Sequence, residues 1–407
     1  MPAVPSLESK NIFMLLQSDY PPDIRLTKEI KALTQAGFVV HLLCNNKKQG
    51  THQEIVDSAT VHRLPAYTNL PTALGKLIRL PLFFSPLWFY YAAGIIKKYG
   101  IDFIHVHDLP LAPLAVVLGK IFHRPVIYDM HENYPAAMEE WQKKDGFWQG
   151  VLKNPKLAHA FNNFSLKRAH KIIVVVEEQR QNLIDAGVAP TKIHVVGNTV
   201  DVDSFMALPV DQDIIEQYNQ HYVILYIGSF STERGLETVI KAMPSIKESI
   251  PHAKFLLVGD GKNARDLKAL SASLGLQEQV EFVGWVDFSK VPSFMHAADI
   301  HIIPQPSNPA NDTTLPHKLF QYMLVGKPIL TSDARPLKRI VQETKCGLSF
   351  KSHDEIDFAG AVRKIAESDI DYKQNGKNAV FSKYNWQTTC QELILLYSQL
   401  MERKDIS

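Results

Sequence analysis

The chain has 407 residues, 45 % of them apolar and 21 % charged, with a formal charge of +2. These values are those of an ordinary globular protein with a proper core, long enough for two domains or a little more. No dense Lys/Arg block is present to neutralise a run of phosphates, so nucleic acid is not an expected partner. Cys44, Cys346 and Cys390 are widely spaced with no CxxC pair. That fits unpaired thiols in a reducing compartment better than a disulfide framework or a zinc site. The opening Met1-Pro2-Ala3-Val4-Pro5 lacks a charged segment followed by an apolar core, and a cytoplasmic location is expected.

Short β-branched runs alternate with amphipathic segments along the chain, the pattern of parallel sheets with crossover helices. Strands are expected at 12–17, 39–44, 103–107, 126–129, 171–176 and 194–196. Between the first two, Leu26, Ile30 and Leu33 fall on one helix face and Gly37 supplies a stop. Residues 80–96 form an uncharged, aromatic stretch flanked by Lys76, Arg79, Lys97 and Lys98 and broken by Pro81, Pro86 and Gly94. It falls short of the roughly 20 apolar residues of a membrane span. Two readings stay open: a buried helix plus a loop, or a surface patch at 76–98 in peripheral contact with anionic lipid.

The second half repeats the scheme, with strands expected at 223–227, 254–258, 280–283, 300–303 and 329–332. Polar connectors occupy 201–220. The expected fold class is α/β, with two Rossmann-like domains facing each other across a cleft, 1–204 and 205–383. Functional groups then belong in the loops at the carboxyl ends of the strands.

The most informative stretch is Asn311-Asp312-Thr313-Thr314-Leu315-Pro316-His317-Lys318-Leu319-Phe320-Gln321-Tyr322-Met323, which follows a strand and opens a helix ending before Gly326. Pro316 suits a first helical turn. The amides around Thr314, Leu315 and His317 are then expected as donors at the positive end of a helix dipole, an anion site to which Lys318 adds a cation. The run from Leu315 to Met323, followed by Gly326-Lys327-Pro328-Ile329, resembles the donor-binding segment of the retaining GT-B glycosyltransferases, family 4 (glycosyl transferases group 1). The resemblance implies a carboxylate on this helix holding the nucleotide ribose and another, eight residues earlier, facing the sugar. This chain has Gln321 and Thr313 there. Glutamine can still both donate to and accept from ribose hydroxyls; Thr313 replaces a sugar contact only in part.

Tyr226-Ile227-Gly228-Ser229-Phe230-Ser231-Thr232-Glu233-Arg234-Gly235 resembles the family's phosphate-binding loop, with Gly228 for close approach and basic side chains for the two phosphates. Arg234 is present, and its fork matches phosphate oxygens; Ser229 occupies the other usually basic position. Leu257-Val258-Gly259-Asp260-Gly261 and Val283-Gly284-Trp285-Val286 resemble the nucleoside-side turns. In the first half, strand alternation puts His105 and His107 on one face, with His107 at the carboxyl end. The resemblance gives His107 contact with the donor sugar or reaction centre without a covalent bond, and gives His131 and Glu132 a place in the cleft. Asp23 or Arg25, after the first strand, is expected to touch phosphate or acceptor. Tyr384-Asn385-Trp386 opens what resembles the family's closing helix, at about 384–402, which completes the first domain.

Asp201-Val202-Asp203, Asp211-Gln212-Asp213 and Asp369-Ile370-Asp371 spell the Asp-x-Asp of metal-dependent transferases, but three occurrences in polar stretches read as structural. No HExxH, GxSxG or Walker-type loop occurs. No metal and no cofactor beyond the substrate nucleotide sugar is expected. The function implied is retaining transfer of a hexose from a UDP-sugar, UDP-glucose ahead of GDP-mannose, to a glycan or lipid-linked acceptor in polysaccharide or glycolipid biosynthesis. The setting implied is the inner face of the membrane. The alternatives are a catalytically weak or inactive nucleotide-binding scaffold, and a nucleotide-sugar epimerase.

Overall fold

In the computed structural model, which describes residues 10–65, 85–142 and 154–402, the chain divides into two units. One runs to Gly197 and resumes at Cys390; the other spans Asn198–Thr389. The first boundary therefore lies earlier than 204/205, and the residues that follow it explain why. Asn198 Nδ2 donates to the Leu315 carbonyl, Thr199 Oγ1 donates to Thr389 Oγ1, and Val200 bridges to Asn385, which ties the connector to the second unit. The closing helix Trp386–Glu402 changes allegiance within its first turns, its start in the second unit and its remainder in the first.

The first unit is built on β1 (Asn11–Asp19), β2 (Val39–Asn45), β3 (Gln53–Val56), β4 (Ala59–Arg63), β5 (Phe103–His107), β6 (Val126–Met130), β7 (Lys171–Val174) and β8 (Ile193–Val195). Their order is β3-β4-β2-β1-β5-β6-β7-β8, parallel throughout except for the β3–β4 hairpin. Sheets with helices on both faces need strands apolar on both sides, and Ile12, Phe13, Met14 and Leu15 are all fully buried. The hairpin was not expected. Its turn is Asp57-Ser58, both at positive φ, without the Asn-Gly or Asp-Gly signature of such turns, and β3 is largely exposed.

The second unit contains β9 (Tyr222–Ile227), β10 (Ala253–Val258), β11 (Val280–Gly284), β12 (Ile300–Ile303), β13 (Ile329–Ser332) and β14 (Gly347–Phe350), in the order β11-β10-β9-β12-β13-β14. This is the doubly wound arrangement in which the winding reverses between the first and fourth strands, here β9 and β12, opening a crevice at their carboxyl ends. In the first unit the same reversal falls between β1 and β5. The loops named from the sequence leave these four strands or their neighbours.

Of the stretch 80–96, residues up to 84 lie outside the described residues. From Pro86 to Tyr99 it is an α-helix, with Pro86 in the first turn and Gly100 closing it in the left-handed region. Trp88, Ala92, Ile95 and Ile96 are buried in the core, while Tyr90 is 73 % exposed. This part matches the buried-helix reading, and no helix among the described residues is long and apolar enough to cross a membrane.

Candidate active site

In the second unit, three loops are laced together by their backbones. Gly228 N–H donates to the Val258 carbonyl at 2.9 Å, and Gly259 N–H donates to the Gly284 carbonyl at 2.8 Å. Gly259 has φ +136°, and a Cβ built there would lie 2.0 Å from the Gly228 oxygen, so only glycine permits this approach. Trp285, directly after Gly284, is 77 % exposed. Ser229 is exposed, and its carbonyl accepts from the Tyr226 hydroxyl at 2.9 Å.

Two cations meet at this reversal point. Lys318 is the first residue of helix Lys318–Val325. Part of its side chain is exposed, but its ammonium donates to the Ile227 carbonyl at 2.5 Å and lies 3.9 Å from the centre of the Tyr226 ring. Burial, aided by nearby Arg234, holds this ammonium well below the usual lysine range. Arg234 ends the short turn Thr232–Arg234; its Nη1 donates to Gln305 Oε1 at 3.2 Å, and its buried Nε has no hydrogen-bond partner. Among the described residues neither cation forms an ion pair with a carboxylate. Two neighbouring positive groups without a protein anion are arranged to receive an external one.

The helix begins at Lys318, after His317, so Pro316 precedes it and accepts from Leu319 N–H rather than filling the first helical turn. Leu315 is buried, and its carbonyl accepts from Asn198. Thr314 is half-buried in extended backbone. Thr313 is 4 % exposed, with a hydroxyl that donates to the Pro309 and Ala310 carbonyls, so its proton is committed to its own turn. Gln321, half-buried, shares the Lys318 face one turn along.

In the first unit, the carboxyl ends of β5 and β6 and the helix Ile24–Gln35 bring several ionisable groups together. His105 and His107 stack with ring centres 4.5 Å apart. Asp129, in register with His107 on the adjacent strand, places Oδ2 3.1 Å from His107 Nδ1, 3.5 Å from His105 Nε2 and 2.7 Å from His131 Nε2. Glu29 approaches His105 Nε2 at 4.0 Å and His131 Nε2 at 3.6 Å. All five are buried. Burial and the neighbouring Asp129 carboxylate push Glu29 up to about 7. For His131 burial works the other way, yet the pull of Asp129 raises it to about 9. Asp23 caps the helix by accepting from the Arg25 and Leu26 amides, and it pairs with the Arg25 guanidinium at 3.1 Å. Burial alone would raise Asp23; Arg25 outweighs it and the carboxyl is lowered.

Of the sequence-derived residues, the structure therefore brings Gly228, Gly259, Gly284, Arg234 and Lys318 together in one unit, and His107 with His131 in the other. Asp23 and Arg25 sit at the start of the helix that carries Glu29. Sequence reasoning missed Glu29 and Asp129 as partners of the histidines. The available signal was Glu29 on the apolar face of Leu26, Ile30 and Leu33, where a charged residue is out of place. The Asp-x-Asp pairs have a structural account: Asp201, Asp211 and Asp371 cap helices, accepting from the amides of Ser204, Asp213 and Gln374.

Two doubly wound units, one with two cations at its reversal point that pair with no carboxylate among the described residues, define a class of α/β protein that binds ligands in such crevices. Two family models narrow that class: a glycosyl transferase 4-like domain over residues 24–199 and the glycosyl transferases group 1 over residues 210–380. Together they span most of the chain, which belongs to this glycosyltransferase family and has the GT-B fold. An uncharacterized glycosyltransferase of Methanocaldococcus jannaschii is 25 % identical, with 94 % of this chain and 97 % of the relative covered. Among solved structures, sucrose-phosphate synthase of Thermosynechococcus elongatus matches with TM-score 0.76 at 18 % identity, covering 97 % of this chain and all of that one. Anabaena HepE in complex with UDP and glucose matches with TM-score 0.72 at 18 % identity, covering 96 % of this chain and all of that one.

Proposed function

We propose that this glycosyltransferase is a retaining enzyme that moves a hexose from a UDP-sugar, UDP-glucose first among them, to a glycan or lipid-linked acceptor in polysaccharide or glycolipid biosynthesis. The observation that carries the reading is the pairing of Arg234 with Lys318, two buried-ended cations without a carboxylate partner among the described residues. A leaving diphosphate supplies the missing charge, and donors fixed in advance stabilise it without reorganisation. No metal on the diphosphate and no cofactor belong to this reading. The acceptor hydroxyl attacks from the leaving-group side, so configuration is kept. The turns at Gly259 and Gly284, with exposed Trp285, take the nucleoside; Gln321 takes the ribose; Thr314 and Leu315 line the diphosphate side; His107 contacts the sugar, with His131 beside it. Asp23 and Arg25 serve phosphate or acceptor.

UDP in preference to other nucleotides draws support from the solved relative that holds UDP and glucose. A peripheral place at the inner membrane face draws support from the exposed Tyr90 and from Lys97 and Lys98 on the helix that closes the 76–98 segment. One observation favours the scaffold reading: the Thr313 proton is committed to its own turn, which weakens sugar contact.

Calorimetry with UDP, GDP and ADP on wild type and Arg234→Ala tests the reading. UDP is expected to bind best, and Arg234→Ala to weaken it about tenfold or more, roughly 1.4 kcal/mol. If none of the three nucleotides binds, the donor-site assignment fails. If UDP binds but no UDP-sugar is turned over with any acceptor or water, the scaffold reading takes its place.

A further inference from the structure

We propose that Glu29, His105, His107 and Asp129 form a binding site for one divalent transition-metal ion of the zinc class inside the first unit. One ligand atom from each of the four lies within 4.8 Å of all the others. Ligands around a tetrahedral zinc at about 2.0–2.2 Å stand roughly 3.3–3.6 Å apart. The measured separations of 3.1 Å (His107 to Asp129), 3.5 Å (His105 to Asp129) and 4.0 Å (His105 to Glu29) bracket that spacing. The remaining pairs lie within 4.8 Å and would have to draw in on the ion.

Direction supports the same conclusion as distance. Asp129 Oδ2 stands within 3.5 Å of three imidazole nitrogens, yet neither Asp129 oxygen takes part in an aligned hydrogen bond. Glu29 Oε2 and His105 Nε2 also have none. All of these side chains are more than nine-tenths buried. Buried polar atoms are nearly always hydrogen-bonded, whereas Glu29, His105, His107 and Asp129 meet one another at ion-pair distance without hydrogen bonds, an arrangement that a shared ion would complete. The orientation of His105 adds a second observation. Its Nδ1 is 2.8 Å from the hydroxyl of buried Tyr397. When Nδ1 donates to that oxygen, Nε2 keeps its lone pair and faces the cluster, the outer-contact arrangement typical of metal-bound histidine.

The donor set selects the ion. Two imidazoles and two carboxylates suit zinc and its neighbours, whereas calcium takes six to eight oxygens and magnesium keeps its waters. The competitor for the carboxylates is a proton on His131, 2.7 Å from Asp129 and 3.6 Å from Glu29. The site uses first-unit residues alone, and its test does not rest on the transferase reading; His107 would hold the ion through Nδ1, which leaves Nε2 for the sugar contact proposed above.

The test is metal content and spectroscopy, not turnover. Protein purified from zinc-supplemented cells without chelators is expected to hold one zinc per chain by elemental analysis. Stripped protein is expected to take up one Co²⁺ per chain, with the intense visible bands of a four-coordinate ion and no thiolate charge-transfer band. Asp129→Asn and His105→Gln, each checked for wild-type circular dichroism, are expected to lose at least nine-tenths of the uptake. Wild type that holds no zinc and fails to bind Co²⁺ at micromolar concentrations overturns the proposal, and so does uptake unchanged in both folded variants. Should both variants misfold, the wild-type Co²⁺ spectrum and stoichiometry decide alone.

Discussion

Replacing Gly259 by alanine puts a methyl group where the backbone of another loop already lies. The nearest atoms are the Gly228 oxygen at 2.0 Å and carbonyl carbon at 2.9 Å, both main chain and held by the Gly228 N–H to Val258 bond, so neither can rotate away. A non-glycine residue at φ +136° costs about 1–3 kcal/mol, because that region is nearly closed to L residues. Forcing a methyl into packed atoms adds about 1–3 kcal/mol more. A loss of about 4 kcal/mol is expected, a large part of the roughly 5–15 kcal/mol that holds a domain folded. At roughly 2–4 °C per kcal/mol, the melting temperature of the second unit should drop on the order of 10 °C. The matched control is Gly360→Ala in the helix Glu355–Ala366, where an added Cβ meets nothing within 4 Å. It should stabilise by about 0.5–1 kcal/mol, the helix preference of alanine over glycine. Urea and thermal unfolding of the three proteins measure both effects. If Gly259→Ala lies within about 1 kcal/mol of wild type, set against the cost of a strained backbone alone, the close approach of the β9 and β10 loops is wrong.

Two further outcomes can be read from the same unit. His301 is fully buried, stacks on Tyr322 at 4.1 Å and donates from Nε2 to the Met295 carbonyl; burial pushes it down to about 3. It stays neutral in the fold while the unfolded chain takes up a proton near pH 6.5, so its contribution is complete above that pH and is lost as pH falls toward 3. The slope approaches 1.4 kcal/mol per pH unit, about 2 kcal/mol by pH 5. His301→Gln should unfold with a flatter pH dependence between 6.5 and 5 in urea titrations, and an unchanged slope would refute the buried neutral ring. Lys318→Met removes the ammonium but keeps much of the side-chain volume; it should leave the melting temperature without ligand near wild type. It should also abolish the stabilisation by UDP, which for wild type is worth about 2.7 kcal/mol at one hundred times Kd. A thermal-shift series that finds the UDP effect intact excludes Lys318 from the anion site.

Much of this structure was legible because its signals are local. Ile300–Ile303, Ile329–Ser332 and Phe103–His107 are buried strands whose β-branched or apolar runs declare themselves. The β3–β4 hairpin and β14 did not, the first for want of a glycine turn and the second because Gly347-Leu348-Ser349-Phe350 is too short to show alternation. In the candidate site, the glycines, Arg234 and Lys318 could be found because loop motifs carry them in order. The partnership of Glu29, His105, Asp129 and Tyr397 could not. It depends on strand register and on a helix arriving from the far end of the chain, and neither leaves a mark on neighbouring residues.

That last helix sets a rule for how the molecule comes into being. Tyr397 is fully buried against Phe38, Phe103 and His105, residues synthesised in the first quarter or so of the chain. Leu393, Leu396 and Leu400 are buried as well. The sheet that leaves the ribosome first must therefore wait, with one patch of its core open, until the second unit and residues 390–402 have been made. A fragment ending at Gly197 would keep that patch bare, while Asn198–Thr389 is a continuous piece that contains all of its own strands. Of the two units, the later-made one is suited to fold by itself, and the earlier-made one is closed only once residues 390–402 have been made.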